Sequence, residues 1–205
     1  MAPFRPHDLL RLSTQPRLLP DAPRWVVNAL NSTPWVVVRR ASSPTGGIAV
    51  GVRGPTRSQR YAFAVGPDDV SELVAPEDLA HLPPLPSRKI AALSTLETVH
   101  SLLDGSGLAW GPTGSVGFEL ATGVPTATPD SDLDILIRVP RGAPDVHSRL
   151  IALHQKLSLA RVRVDCQIET PTGAVALAEL IGEQADVMLR TVDGPRLVPR
   201  PTAVP

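Results

Sequence analysis

The chain has 205 residues, 42% of them hydrophobic, which is enough for one large or two small domains with real cores. Twenty basic residues balance twenty acidic ones, so no global field marks a general nucleic-acid or membrane-surface binder. The single cysteine, Cys166, excludes an intramolecular disulfide, no apolar run approaches a membrane span, and "MAPFRPHDLL" lacks a signal-peptide core, so a cytoplasmic protein is expected.

In chain order, "WVVVRR" (35–40), "GIAVGVRG" (47–54) and "QRYAFAVG" (59–66) read as strands of a small antiparallel sheet, parted by the turn chemistries "SSPTGG" and "GPTRS". "PDDVSELV" (67–74) reads as a brief helix. "APEDLAHLPPLPS" (75–87) is a proline-punctuated connection, which divides the chain into a small β-rich N-terminal domain over 1–80 and a second domain over 81–205.

Beyond that boundary helix and strand alternate. Ile90, Leu93, Leu96, Val99, Leu102 and Leu103 recur at helical spacing as far as Gly105. "LAWG" (108–111) is a short strand, and "GSVGFELATG" (114–123) a turn entering a short helix closed by Gly123. "LDILIRV" (133–139) is a strand, "PDVHSRLIALHQKLSLA" (144–160) an amphipathic helix and "RVRVDCQIE" (161–169) a second strand. "GAVALAELIG" (173–182) reads as another helix and "DVMLRTVDGPRLV" (186–198) as the last strand and turn. The class is α+β with α/β-like layers.

Three carboxylates precede the buried-looking strand in "PDSDLDILIRV" (129–139). Strand side chains alternate, so Asp132 and Asp134 share one face while Leu133 and Ile135 share the other. At about 6.6 Å two such charges repel by roughly 2.5 kcal/mol at an effective dielectric of ~20. A bound divalent cation reverses that cost. In "RVRVDCQIE", Val162, Val164, Cys166 and Ile168 lie on one face, leaving Asp165 on the other with Arg161, Arg163, Gln167 and Glu169. If this strand neighbours the first, three carboxylates converge and describe a magnesium site for phosphoryl or nucleotidyl transfer. The plainer alternative has Asp134 facing solvent and Asp165 paired with Arg163 or Arg138.

Upstream, "GPTGSVGFELATG" places glycines at 111, 114 and 117 around Ser115, after a strand and at a helix entry. Backbone N–H groups in such a flexible turn can hold a phosphate, although Gly-Ser before a helix also serves as ordinary capping. The ordered set of Gly-Ser helix entry, Asp-x-Asp strand and later strand Asp is more specific than any part alone.

That set resembles the nucleotidyltransferase superfamily of DNA polymerase β type, with one departure: sixteen residues separate Ser115 from Asp132. The phrase "GSVGFELATGVPTATPDSDLDILIR" is similar to the malonate decarboxylase holo-acyl-carrier-protein synthases, also called phosphoribosyl-dephospho-CoA transferases. "RPHDLLRL", "GVRGPTRSQRYA", "VDCQIETPTGAVALAEL" and "LRTVDGPRLV" extend the resemblance over nearly the whole chain. It implies a nucleotidyltransferase-like mixed sheet with helices in the second domain. It further implies a magnesium-dependent transfer of phosphoribosyl-dephospho-CoA from its triphosphate precursor to a serine of the apo acyl-carrier subunit of malonate decarboxylase, with release of pyrophosphate. Asp132, Asp134 and Asp165 would then be the catalytic and metal-holding residues, and Gly114 and Ser115 the triphosphate turn.

Between Asp21 and Asp68 there is no acidic residue, yet Arg24, Arg39, Arg40, Arg53, Arg57 and Arg60 all fall there. Arg53, Arg57 and Arg60 cluster around one turn and suit the phosphates of a CoA-like donor or an acidic carrier protein. The five histidines show no ligand spacing. Trp25, Trp35 and Trp110 read as core or rim packing, Trp110 being the one near enough to the Gly-Ser turn to touch a donor base; Glu119 reads as an acid complementing the helix dipole, and Cys166 faces the core and is expected to be inert. Two rivals stand beside this reading: a nucleotidyltransferase with another acceptor, and a non-catalytic binding module of the same fold. Neither nucleic acid nor membrane is an expected partner.

Overall fold

A computed structural model describes residues 4–43, 46–54, 56, 58–82 and 88–200. The chain divides into two units, Met1–Ala75 and Pro76–Pro205.

The first unit is built on five strands, β1 (Leu9–Leu12), β2 (Trp35–Val38), β3 (Ile48–Arg53), β4 (Arg60–Val65) and β5 (Val70–Val74), in the order β4-β3-β2-β1-β5. Every pairing is antiparallel. Helix α1 (Arg24–Ser32) buries Val26 and Leu30 in a core shared with Leu10, Val36, Val50 and Val65. The segment expected as a helix at 67–74 is instead a 3₁₀ turn at Pro67–Asp69 followed by β5. Asp69 accepts a hydrogen bond from the Gly66 N–H at 2.8 Å, which closes the turn, and β5 then pairs with β1, Leu10 opposite Leu73. Hydrogen bonds to a strand some sixty residues earlier decide its conformation, and no local pattern carries that information.

The second unit is a six-stranded mixed sheet in the order β11-β10-β9-β8-β7-β6. Its strands are β6 (Ala109–Pro112), β7 (Leu133–Arg138), β8 (Val164–Thr170), β9 (Gly173–Ala176), β10 (Asp186–Thr191) and β11 (Gly194–Pro199). Its helices are α2 (Pro76–Leu79), α3 (Ala91–Asp104), α4 (Gly114–Thr122), α5 (Val146–Leu157) and α6 (Leu177–Ile181). The α+β class follows from both units. Among the described residues no helix is long and apolar enough to cross a membrane.

The β7–β8 pair is parallel, the others antiparallel. A parallel neighbour needs a crossover, and α5 supplies it, burying Val146, Leu150, Leu153 and Leu157. Leu133, Ile135, Ile137, Cys166 and Ile168 join the core formed with α3, α5 and α6. The segment expected as one helix at 173–182 is half strand. Gly173 opens β9 in a hairpin with β8, Ile168 opposite Val175, and α6 follows only from Leu177. The expected last strand and turn are a full hairpin of β10 and β11.

Helix α2, which the 1–80 boundary would assign to the first domain, packs in the second unit against β6 and α4. A Cβ on Gly111 would stand 1.8 Å from the carbonyl oxygen of Pro76, so only glycine lets α2 seat on the strand. Gly111→Ala should therefore destabilise the protein by about 1–3 kcal/mol through overpacking, read as a lowered thermal midpoint; an unchanged midpoint would mean that α2 is not seated there.

Candidate active site

The N-terminus of α4 lies against the start of β7. Thr113 donates its N–H to the Asp134 carbonyl at 2.9 Å, and Gly114 follows with φ +61. A Cβ there would lie 1.9 Å from Asp134 Oδ2, so the turn approaches the carboxylate as closely as a backbone can. The Thr113 side chain makes no capping bond to the helix start. The first-turn amides of α4 carry the positive end of the helix dipole and suit an anion. The glycines at 111 and 114 thus answer to close packing and a left-handed backbone, not to flexibility.

Strand register places Asp134 opposite Asp165 on β8. As parallel neighbours on strands about 4.8 Å apart, the two residues stand side by side on one face of the sheet. Leu133 and Ile135 point the other way and are 0% and 1% exposed. The condition posed by the sequence, that these strands be neighbours, is met. Asp132 sits one residue before β7 and is half-buried.

Asp165 accepts a hydrogen bond from Arg163 Nε at 2.8 Å, the pairing of the plainer reading. Both side chains are open to solvent, 72% and 42% exposed, so the pair contributes about 0–1 kcal/mol and yields readily to a stronger ligand. Arg138 turns elsewhere, to Glu77 at 2.7 Å.

Sequence reasoning overlooked the groups that hold the loop between α4 and β7. Ser115 Oγ donates to Ser131 Oγ at 3.3 Å, while Ser131 Oγ accepts from the Thr128 N–H at 2.9 Å. This ties the Gly-Ser turn to the residue before Asp132. Glu119, 1% exposed, is more than a dipole complement. It accepts both carboxylate contacts from Arg88 at 2.8–2.9 Å and two N–H bonds, from Thr126 and Ala127, at 2.8 Å. Arg88 also donates to the Ala127 carbonyl at 2.9 Å. The sixteen-residue spacing was the available signal: an insertion this long must be anchored to deliver Asp132 to one place.

The remaining candidate residues lie in other surroundings. Arg53 and Arg60 are opposite one another on the β3–β4 hairpin of the first unit, both exposed. Arg57 lies outside the described residues. Trp110 is 4% exposed with its indole N–H donated to Asp104 at 2.8 Å, so it offers no face for stacking a base. Cys166 is buried, and desolvation, then the charge of Asp165, push its thiol pKa up, which keeps it protonated and inert at neutral pH.

A helix start, a backbone turn pressed on the Asp134 carboxylate and Asp165 in register thus lie together at one end of β7 and β8. Comparison with known proteins gives this site its family. The profile of the phosphoribosyl-dephospho-CoA transferase MdcG N-terminal domain matches residues 5–76, and that of the C-terminal domain residues 78–201. A phosphoribosyl-dephospho-CoA transferase of Pseudomonas putida is 44% identical over 202 residues, 98% of this chain and 96% of that protein. Proteins with the same name from Azotobacter vinelandii and Pseudomonas aeruginosa are 42% and 40% identical, over 96% of this chain in each case and 93% and 92% of theirs. No solved structure matches. The chain belongs to the phosphoribosyl-dephospho-CoA transferase family.

Two outcomes follow from this geometry. Glu119→Ala strands Arg88 and two loop amides and should cost about 3 kcal/mol of stability, measured by denaturant unfolding. Cys166 should react with a thiol reagent only at the rate at which the protein opens; rapid labelling of the native protein would contradict its burial.

Proposed function

We propose that this chain transfers phosphoribosyl-dephospho-CoA from 2'-(5''-triphosphoribosyl)-3'-dephospho-CoA to a serine of the apo acyl-carrier subunit of malonate decarboxylase, releasing pyrophosphate. The supporting observation is the register of Asp134 with Asp165 beside the Gly114 turn, because it sets carboxylates next to amides suited to a polyphosphate.

The donor chemistry fits a magnesium ion: Asp132, Asp134 and Asp165 offer carboxylate oxygens, and Arg163, the cation from which Asp165 accepts, is solvent-exposed. Asp132, Asp134 and Asp165 would hold magnesium, which when bound neutralises polyphosphate charge and acidifies the incoming hydroxyl. The amides at the start of α4 and the Ser115 hydroxyl bind the β and γ phosphates. The Gly114 turn and β7 thereby fix the α-phosphorus beside the acids. The carrier serine Oγ forms a bond to that phosphorus as the bond to pyrophosphate breaks, and Asp165 takes the serine proton. Arg53, Arg57 and Arg60 are assigned to the donor phosphates or to docking the carrier.

The test is the intact mass of purified apo carrier subunit after incubation with this protein, magnesium and the triphosphate donor. A gain equal to one phosphoribosyl-dephospho-CoA group is expected with wild type. Asp134→Ala should abolish it without lowering the melting temperature. Ser115→Ala should slow it by on the order of 10²-fold. No gain with a competent donor and carrier would overturn the acceptor assignment, and an active Asp134→Ala would overturn the site.

A further inference from the structure

A second constellation, containing none of these acids, lies elsewhere in the second unit. His81 is in the turn after α2, and His100 and Asp104 are one turn apart on α3. The histidines are nineteen positions apart in sequence, so only the fold reveals the grouping. One ligand atom from each of the three lies within 4.8 Å of the others.

His100 Nδ1 and Asp104 Oδ2 are 3.4 Å apart. A charge-assisted hydrogen bond would draw them to about 2.7–2.9 Å. Two ligand atoms about 2.0–2.1 Å from a tetrahedral zinc stand about 3.3 Å from each other, which is the spacing observed. An exposed helical His–Asp pair contributes little by itself and leaves His81 unexplained.

The surroundings orient the same groups. Trp110 Nε1 donates to Asp104 Oδ1 at 2.8 Å, which fixes the carboxylate and leaves Oδ2 to face His100. Indole and imidazole rings stack edge to face in series, Trp110 to His100 at 5.5 Å and His100 to His81 at 5.6 Å between centroids. Outer partners that orient a carboxylate and an imidazole are characteristic of metal sites. His100 and Asp104 are 34% and 40% exposed, so a fourth position is open to water. Two imidazoles with one carboxylate favour a zinc-class ion over magnesium, which takes oxygen donors.

We propose that His81, His100 and Asp104 bind one zinc-class divalent ion through an imidazole nitrogen of His81, Nδ1 of His100 and Oδ2 of Asp104. The ion clips the turn after α2 to α3, and through Asp104 it bears on Trp110, three residues before the Thr113 N-cap of α4.

Untagged full-length protein, stripped with a chelator, is titrated with zinc against a chromophoric competitor. One equivalent should bind to wild type. His81→Ala and His100→Gln should each weaken that binding at least tenfold, and Asp134→Ala should leave it intact. Zinc should raise the melting temperature of wild type but not of His81→Ala, whose exposed position leaves the metal-free melting temperature unchanged. Cobalt(II) should show a four-coordinate visible spectrum that is lost in His81→Ala. The inference is overturned if wild type fails to compete for zinc, if His81→Ala binds as tightly as wild type, or if Asp134→Ala abolishes binding.

Discussion

The close approach of the Gly114 backbone to the Asp134 carboxylate is the constraint from which the candidate site follows. A left-handed glycine there lets Thr113 hydrogen-bond the Asp134 carbonyl, so the helix start and the strand start become one rigid corner. Any side chain at 114 would occupy the space of the carboxylate oxygen. The parallel pairing of β7 with β8 then sets Asp165 beside Asp134, and α5 is the crossover that parallel pairing demands. Hydrophobic burial acts on the opposite face: Leu133, Ile135, Cys166 and Ile168 anchor the same two strands in the core.

The Glu119 network does for the loop what the core does for the strands. A buried carboxylate receiving a guanidinium and two amides is well compensated, and it pins the chain between α4 and β7 at Thr126 and Ala127. From there Ser131 reaches back to Ser115. The sixteen residues between Ser115 and Asp132 are therefore an anchored segment that leads into Asp132.

Much of this was legible in the sequence where pattern and packing agree. The helix at 91–104 and the strand at 133–138 carry continuous apolar periodicity, and Asp134 and Asp165 fall on the polar phase of strands whose other phase is core. Segments were misread where pairing overrides local preference. β5 is an exposed edge strand paired with β1, and β9 is an alanine-rich run held extended by its hairpin with β8. β1 and α1 were missed because four residues of "LLRL" do not alternate and "RWVVNALNS" lacks a capping signal. Nothing in linear order announces that Glu119 meets Arg88, or that His81 meets His100, because those contacts depend on how helices pack.

The most direct measurement of the claim that Asp134 and Asp165 form one oxygen-donor site is manganese(II) binding, followed by electron paramagnetic resonance in the presence of the triphosphate donor. Wild type should bind an ion that both Asp134→Asn and Asp165→Asn lose, because neither carboxylate alone holds it. Undiminished binding in either variant would contradict the account, leaving the two carboxylates as solvated groups on the face of the sheet.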